Sequence, residues 1–544
     1  MNKILSQALK KAVSEYNPEV KEVSKGSRPD LFSLSTETEL FQNEKGITIR
    51  IDRSRDSKLT DFGKATLVDR YLNEGESYQD LFARVASTYA DDNLHGQRIY
   101  NYMSNLWFMP STPVLSNAGT ERGLPISCFL NEASDSLNGI VDRWSENVWL
   151  AAKGGGIGSY WGNLRSIGEQ VGRVGKTSGI MPFIKVMDSL TLAISQGSLR
   201  RGSAACYLPI DHPEIEEFIE MRRPTGGDPN RRALNLHHGV LVTDAFMRAV
   251  ELDEQWPLKS PYDGTVQSSM SARNLWIRLL TARVETGEPY IVFIDTVNRM
   301  IPQHHKLAGL TVKTSNLCSE ITLPTGIDKS GRDRTAVCCL SSLNLETYDE
   351  WKDEKIMLED IMKFLDNVLT DFITRAPESF SDATYAAMRE RSVGLGVMGF
   401  HSFLQKNSIP IESVMAKVWN NKMFKQIDKE TVKSGFYFHP LQATIRHRFI
   451  TDVFLSCTAA TLEQGDVEEN EAARRLGAAL LAGTTGLYAT QAATGRVNLI
   501  ANGPGLALLD VARLTALTAV NPMRSFSTVP AHHPLHAKGL LGTL

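Results

Sequence analysis

The chain has 544 residues and a mass of 60.3 kDa, is 42% hydrophobic and 22% charged, and carries 59 basic against 62 acidic residues, a formal charge of −3. That apolar share supports a large buried core and excludes general disorder, and the balanced charge excludes a global field for nucleic acid or anionic lipid. Six cysteines with no CxxC pair exclude a disulfide scaffold, a zinc ribbon and a thioredoxin-like motif.

In chain order, residues 1–58 are polar and weakly patterned and read as a partly ordered N-terminal arm. Their first stretch, MNKILSQALKKAV, is amphipathic, broken by lysines and without the apolar core of a secretory signal. No run of about 18 apolar residues follows, so a soluble, cytoplasmic protein is expected, with neither membrane nor nucleic acid as partner. Residues 59–123 carry helical spacing, for example Tyr78–Ala90. Pro110–Thr120 (PSTPVLSNAGT) has the composition of a loop. Ile126–Leu130 predicts a buried strand, and Asp135–Ala152 a helix ended by the glycines of Gly154–Gly158. Met181–Ser195 predicts a helix, followed by a loop over Gln196–Gly202. Short apolar strands and amphipathic helices then alternate through Ala204–Pro209, Glu214–Met221, Gly239–Val242, Leu275–Thr286 and Tyr290–Phe293. This rhythm predicts an α/β architecture, barrel or open sheet. From Ser434 the composition changes: the last 111 residues hold one Lys, seven Arg and 18 Ala, and all eight tryptophans lie earlier. Residues 434–544 therefore read as an atypical Ala-rich tail, either a separate appendage or a composite junction.

Two nucleotide motifs fall short. Gly172–Thr177 (GRVGKT) ends like a Walker A loop, but Gln170 stands where its first glycine belongs. Lys153–Gly158 (KGGGIG) lacks the GxGxxG spacing; its glycines fit a helix C-cap and turn, or a close approach of backbone to a ligand. In Ser315–Ile321 (SNLCSEI), an extended backbone would project Asn316, Cys318 and Glu320 from one face. A carboxylate beside a thiol disfavours thiolate, so this suits a neutral S–H with a carboxylate moving protons rather than a nucleophile. A buried structural cysteine is the bland alternative. Cys128 and the Cys338–Cys339 pair also sit in strand-like segments and could supply a two-electron dithiol. Cys206 and Cys457 read as buried hydrophobes. Arg200–Arg201, Arg222–Arg223 and Arg231–Arg232 could bind phosphate, or be solvated faces. His532, His533 and His536 read as tail rather than metal ligands. His304 and His305 give Cys318 no evident Cys–His pairing, which disfavours a Cys-dependent hydrolase.

Taken in order, LTDFGKATLVDRYL (59–72), PSTPVLSNAGT (110–120), LPISCFLNEASDSL (124–137), KGGGIG (153–158), SQGSLRRGSAA (195–205), SNLCSEITLPT (315–325) and VCCLSSLNL (337–345) resemble the large (alpha) subunit of class I ribonucleotide reductase over residues 58–433. The resemblance implies an N-terminal helical region at 59–123, then the first part of a ten-stranded α/β barrel with its finger loop at 124–433. No cone-like sequence precedes Leu59, so no ATP-cone is expected. The implied activity is conversion of ribonucleoside diphosphates to 2′-deoxyribonucleotides for DNA synthesis by thiyl-radical chemistry. It gives Cys318 the thiyl radical that takes the ribose 3′-hydrogen, Glu320 the role of base at the 3′-hydroxyl, and Asn316 hydrogen bonds to the ribose. Cys128 and Cys338 would be the reducing dithiol, Cys338 being preferred to Cys339 for its spacing to Leu340 and Asn344. Thr112, Ser127 and Gly156, with Cys128 and Asn316, would line the substrate. Asp135, Ser136, Leu137, Arg165 and Arg173 match an allosteric site for deoxynucleoside triphosphates or ATP at a dimer interface, and Gln196–Gly202 matches the loop relaying effector identity. The implied partners are a metal-containing small (beta) subunit that generates the radical, a second copy of the chain, and thioredoxin or glutaredoxin as reductant; no metal or cofactor is expected on this chain itself. After Ser434 the family's Pro-Thr-Ala-Ser phosphate loop, paired tyrosines and C-terminal cysteine pair are not found: Tyr437 and Tyr488 are separate and Cys457 stands alone. A truncated or split, catalytically incompetent nucleotide-binding fragment is the alternative.

Overall fold

A computed structural model of the chain describes residues 39–438, apart from 174 and 197–199. Cys457, Tyr488, the terminal histidines, the first 38 residues and the centre of the 196–202 loop lie outside it. Residues 40–58 depart from the expected arm. Strands β1 (Leu40–Gln42) and β2 (Thr48–Arg50) form an antiparallel hairpin, and Ile49 and Ile51 are buried in the main core. Helices α1 (Asp61–Arg70), α2 (Tyr78–Thr88) and α3 (Asn93–Ser104) follow, capped by the side chains of Thr60, Ser77 and Asp92. Each cap accepts from an amide that has no partner inside the helix.

The expected loop at Pro110–Thr120 is instead the end of β3 (Phe108–Pro110) and a short helix, α4 (Thr112–Asn117). Pro113 sits in the first turn, where its missing N–H costs nothing, and Pro113–Asn117 are buried. Next come β4 (Cys128–Glu132), α5 (Leu137–Ala152) and β5 (Gly156–Tyr160). The glycine run is thus shared between the turn ending α5 and a buried strand. Two small hairpins, β6 (Gln170–Val171) with β7 (Gly175–Lys176) and β8 (Ser195–Gln196) with β9 (Arg200–Arg201), flank α6 (Met181–Ala193).

The chain then alternates: β10 (Ser203–Pro209), α7 (Ile215–Glu220), β11 (His237–Val242), α8 (Asp244–Leu252), the hairpin β12 (Gln255–Lys259) and β13 (Val266–Ser271), α9 (Ala272–Thr286), β14 (Tyr290–Phe293), α10 (Ile294–Met300) and α11 (Gln303–Ala308). Residues 309–335 contain neither helix nor strand. Beyond them lie β15 (Ala336–Cys338), β16 (Leu340–Asn344), α12 (Tyr348–Trp351), α13 (Met357–Arg375), α14 (Ser381–Glu390), β17 (Gly394–Met398), α15 (Phe400–Lys406) and α16 (Val414–Phe438). No helix among the described residues is long and apolar enough to cross a membrane.

The central sheet has the order β14-β11-β10-β5-β4-β15. Its first five strands are parallel and β15 runs antiparallel to β4. A separate smaller sheet has the order β17-β16-β3. Alternation divides the central strands between two cores. Phe129, Cys206, Leu208, Val240, Val337 and Cys339 pack toward the helices. Cys128, Leu130, Ala205, Tyr207, Leu241, Val292, Ala336 and Cys338 face the other way, onto Leu317, Ile321 and Leu323 of the 309–335 segment. A parallel sheet covered on both faces explains why its strands read as continuous apolar runs.

Candidate functional site

The inner sheet face and the segment lying on it bring three thiols together. Cys128 and Cys338 are direct Cα partners across the β4–β15 ladder. Such partners sit about 4.5–5.5 Å apart, inside the roughly 4.4–6.8 Å that a disulfide spans. Both are buried, and neither is in a disulfide. Burial, followed by the neighbouring Cys128, pushes the Cys338 thiol well up from its ordinary value, which favours its neutral S–H form. Ser127 Oγ lies 3.7 Å from Cys338 Sγ and donates to its carbonyl at 3.4 Å. Cys339, one residue on, points to the helical core, where its thiol meets the Leu365 carbonyl at 3.4 Å. Cys206 also faces that core, against Met187 Sδ at 3.8 Å.

The Ser315–Ile321 stretch is not the extended strand expected. It is a tight turn whose tip carries Cys318. Ser319 holds φ +65, a conformation uncommon for a residue with a Cβ and a frequent mark of functional loops. The Asn316 side-chain carbonyl accepts from the amides of Glu320 and Ile321, both at 3.0 Å, and Ser319 N–H donates to the Asn316 carbonyl at 3.2 Å. Asn316 therefore builds the turn with its oxygen, while its Nδ2, buried, has no hydrogen-bond partner among the described residues. A buried donor left over in this way is costly unless something else takes it up. Glu320 is buried and Cys318 half-exposed.

The seat of this turn is glycine-built. A Cβ on Gly156 would stand 3.2 Å from Cys128 Sγ and 2.8 Å from Leu317 Cδ2. On Gly158 it would stand 1.8 Å from the Ser315 carbonyl oxygen. The KGGGIG run thus serves close backbone approach. Tyr207, on β10, donates its hydroxyl to the Asn316 carbonyl at 2.6 Å, and its phenol is pushed well up by burial. Sequence alone gave no sign of Tyr207. Tyr290 stacks on His237 at 6.3 Å, and burial, then the charges of Glu288 and Cys318, push its phenol up. Thr112, at the start of α4, meets the Tyr71 hydroxyl at 3.0 Å.

Asp135, Ser136, Leu137 and Arg165 gather elsewhere, at the N-terminal end of α5. Ser136 caps that helix by accepting from Gly139 N–H, and Leu137 is exposed. Arg165 Nε lies 2.7 Å from Asp135 Oδ2, and its guanidinium covers the Tyr262 ring at 4.5 Å. Arg165 also donates to the Gln170 carbonyl at 2.7 Å, which ties it to the β6–β7 hairpin bearing the exposed Arg173. The runs Arg222–Arg223 and Arg231–Arg232 are structural: Arg223 pairs with Glu285, Arg231 with Glu217, and Arg232 donates to the Pro224 and Gly227 carbonyls.

Comparisons with known proteins cover the same stretch of the chain. Residues 57–123 match the family model described as ribonucleotide reductase, all-alpha domain, and residues 126–437 the one described as ribonucleotide reductase, barrel domain. The ribonucleoside-diphosphate reductase large subunit of Invertebrate iridescent virus 3 is 40% identical over 435 residues, covering 70% of this chain and 67% of that protein. The putative large subunit of Frog virus 3 (isolate Goorha) is 43% identical over 364 residues, covering 66% of this chain and 62% of the relative. Among solved structures, the Actinobacillus ureae class Id ribonucleotide reductase alpha subunit superposes with a TM-score of 0.62 at 32% identity, over 72% of this chain and 69% of that one. The chain thus spans about two thirds of the length of these relatives.

Proposed function

The chain belongs to the ribonucleotide reductase large-subunit family, and from that premise we propose that it contributes the thiol half of ribonucleotide reduction to deoxyribonucleotides. The observation that carries this reading is the facing of Cys128 and Cys338 across one ladder beneath a turn that presents Cys318. In the proposed cycle a thiyl radical on Cys318 takes the ribose 3′-hydrogen. Glu320 removes the 3′-hydroxyl proton, and the 2′-hydroxyl leaves as water with a proton from the dithiol. Cys128 and Cys338 supply two electrons and, beyond the proton lost to water, the hydrogen that bonds C2′, and end as a disulfide; Glu320 returns its proton to the 3′-oxygen, and the 3′-hydrogen returns from Cys318. The spare Asn316 Nδ2 donor is suited to a ribose hydroxyl, and Thr112, Ser127 and Gly156 to the rest of the substrate. Cys318 has no oxidant of its own, so the radical is assigned to a metal-containing small subunit, and re-reduction of the disulfide to thioredoxin or glutaredoxin in a reducing cytosol.

The Asp135/Arg165 cluster is proposed as the effector site for deoxynucleoside triphosphates or ATP, with Ser136, Leu137 and Arg173 around it. Exposed Leu137 and Val141, one turn apart on α5, offer an apolar face for a second copy. Among the described residues the central sheet is open at β14 and β15. The opposing wall of the pocket is assigned to the second half of the barrel that the family resemblance implies. The test mixes the chain with a radical-loaded small subunit and a nucleoside diphosphate, with and without a separate chain supplying the second half of the barrel. Deoxynucleotide formation that needs the added half and is abolished by Cys318→Ala is expected. Absence of product in the complete mixture would overturn the enzymatic reading.

A further inference from the structure

Glu132 is the last residue of β4, four positions after Cys128 on the same strand face. Its carboxylate holds both shoulders of the segment that carries Cys318. Lys313, before the turn, donates to Oε1 at 3.1 Å; Thr325, after it, donates to Oε2 at 2.8 Å. Gly326 takes φ +78 against this carboxylate, where a Cβ would come within 2.2 Å of Oε1. Asn163 Nδ2 adds a longer bond at 3.4 Å. Between the shoulders the two limbs pair with each other: Ser315 Oγ donates to the Ile321 carbonyl at 2.6 Å, and Asn316 N–H to the same oxygen at 3.3 Å.

From this geometry we infer that Glu132 is a positioning residue that fixes the Cys318 turn relative to the Cys128–Cys338 pair. It touches none of the three thiols. One rigid strand holds a dithiol sulfur at Cys128 and, through Glu132, the neck of the loop bearing the third thiol, so the relative placement of the thiols is set by strand geometry. A carboxylate suits the place because its two oxygens serve different shoulders, a cation on one and a hydroxyl on the other. The inference rests on the proposed reading for the purpose of that placement, but not for its existence.

The test uses the full chain, reduced, with iodoacetamide labelling of each cysteine followed by mass spectrometry. Glu132→Ala should raise the labelling rate of Cys318 about tenfold, the factor that about 1.4 kcal/mol makes in an equilibrium. Cys128 and Cys338 should keep their rates and still oxidise to one another. Lys313→Met and Thr325→Val, each freeing one shoulder, should give smaller increases, and Glu132→Gln, which keeps an acceptor for Thr325, should recover part of the effect. Equal rises at all cysteines in Glu132→Ala, Lys313→Met and Thr325→Val alike would mean general loosening and overturn the inference, as would an unchanged Cys318 rate. Calorimetry of wild-type protein with a nucleoside diphosphate separates the two claims: absence of binding there, with the labelling contrast intact, sinks the substrate reading and leaves the clasp standing.

Discussion

Replacing Gly158 by alanine asks directly whether the Cys318 segment is held against the sheet by backbone contact. An ideal Cβ at this position would lie 1.8 Å from the Ser315 carbonyl oxygen and 2.7 Å from the Asn316 Cα. Both neighbours are main chain, so no rotamer relieves the overlap, and restoring ordinary contact means lifting the loop by roughly 1.5 Å. Overpacking of a well-packed site costs about 1–3 kcal/mol. A misplacement of about 1 Å at reacting groups costs about a hundredfold in rate. Gly158→Ala should therefore lower stability by about 1–3 kcal/mol, and it should lower product formation in the reconstituted mixture by about a hundredfold or more. Gly156→Ala is the control, because its Cβ would meet the Leu317 side chain at 2.8 Å and Cys128 Sγ at 3.2 Å, atoms that can rotate away. Its stability cost should stay below about 1.5 kcal/mol. Urea unfolding gives the first quantity and per-cysteine labelling reports the loop. If Gly158→Ala unfolds within about 0.5 kcal/mol of wild type and labels Cys318 at the wild-type rate, the segment does not rest on β5 as described.

Mild oxidation should join Cys128 to Cys338; peptide mapping should find that bridge intact in Cys339→Ser and absent in Cys338→Ser, and a Cys128–Cys339 bridge would reverse the assignment. dTTP or dATP should bind near Asp135 and promote dimerisation. In Asp135→Ala, which strips Arg165 of its carboxylate, titration calorimetry should show binding weakened by about 1.5–3 kcal/mol; unchanged binding removes the site from this region. Glu288, buried, accepts from His237 and from the His238 amide at 3.1 Å. Although burial alone would raise its carboxyl, the charge and hydrogen bond of His237, helped by His238 and Arg222, hold it well below the ordinary 4.5. Because the folded value is depressed, its stabilisation is full above pH 4.5 and fades as pH falls toward the folded value. Glu288→Gln should thus cost about 3–5 kcal/mol at neutral pH, and the gap to wild type in urea unfolding should narrow at lower pH; a gap that widens there would contradict the sign.

The parallel strands were legible because burial on both faces makes each a short apolar run between amphipathic helices, and Tyr290–Phe293 coincides with β14. Strand β4 begins two residues later than its apolar run, since Ile126 and Ser127 enter the core before the ladder starts. The Pro110–Thr120 stretch misled because its Ser, Thr, Pro and Asn content is that of turns, while tertiary burial of Val114, Leu115 and Ala118 draws it into a helix. Composition reports what solvent-exposed backbone prefers. It does not report what a neighbouring core imposes.

The candidate site shows the same division between local and non-local information. Alternation along VCCL requires Cys338 and Cys339 to face opposite sides of a strand, but only register says which side holds Cys128, and a slip of one residue would exchange them. That register is set by pairing with residues some 210 positions earlier, Cys128 to Leu130. Assuming an extended backbone for SNLCSEI gave the wrong conformation. Asn316, expected to hydrogen-bond a ribose, spends its side-chain oxygen inside the turn, and its nitrogen has no partner among the described residues. Glu132 and Tyr207 were illegible for a further reason. Neither stands near Cys318 in sequence, and each acts on the loop from a different strand, by a carboxylate at the neck and a hydroxyl at the tip. Residues that do chemistry can declare themselves by type and spacing, whereas those that hold them in place need only reach, and reach exists only once the sheet has formed.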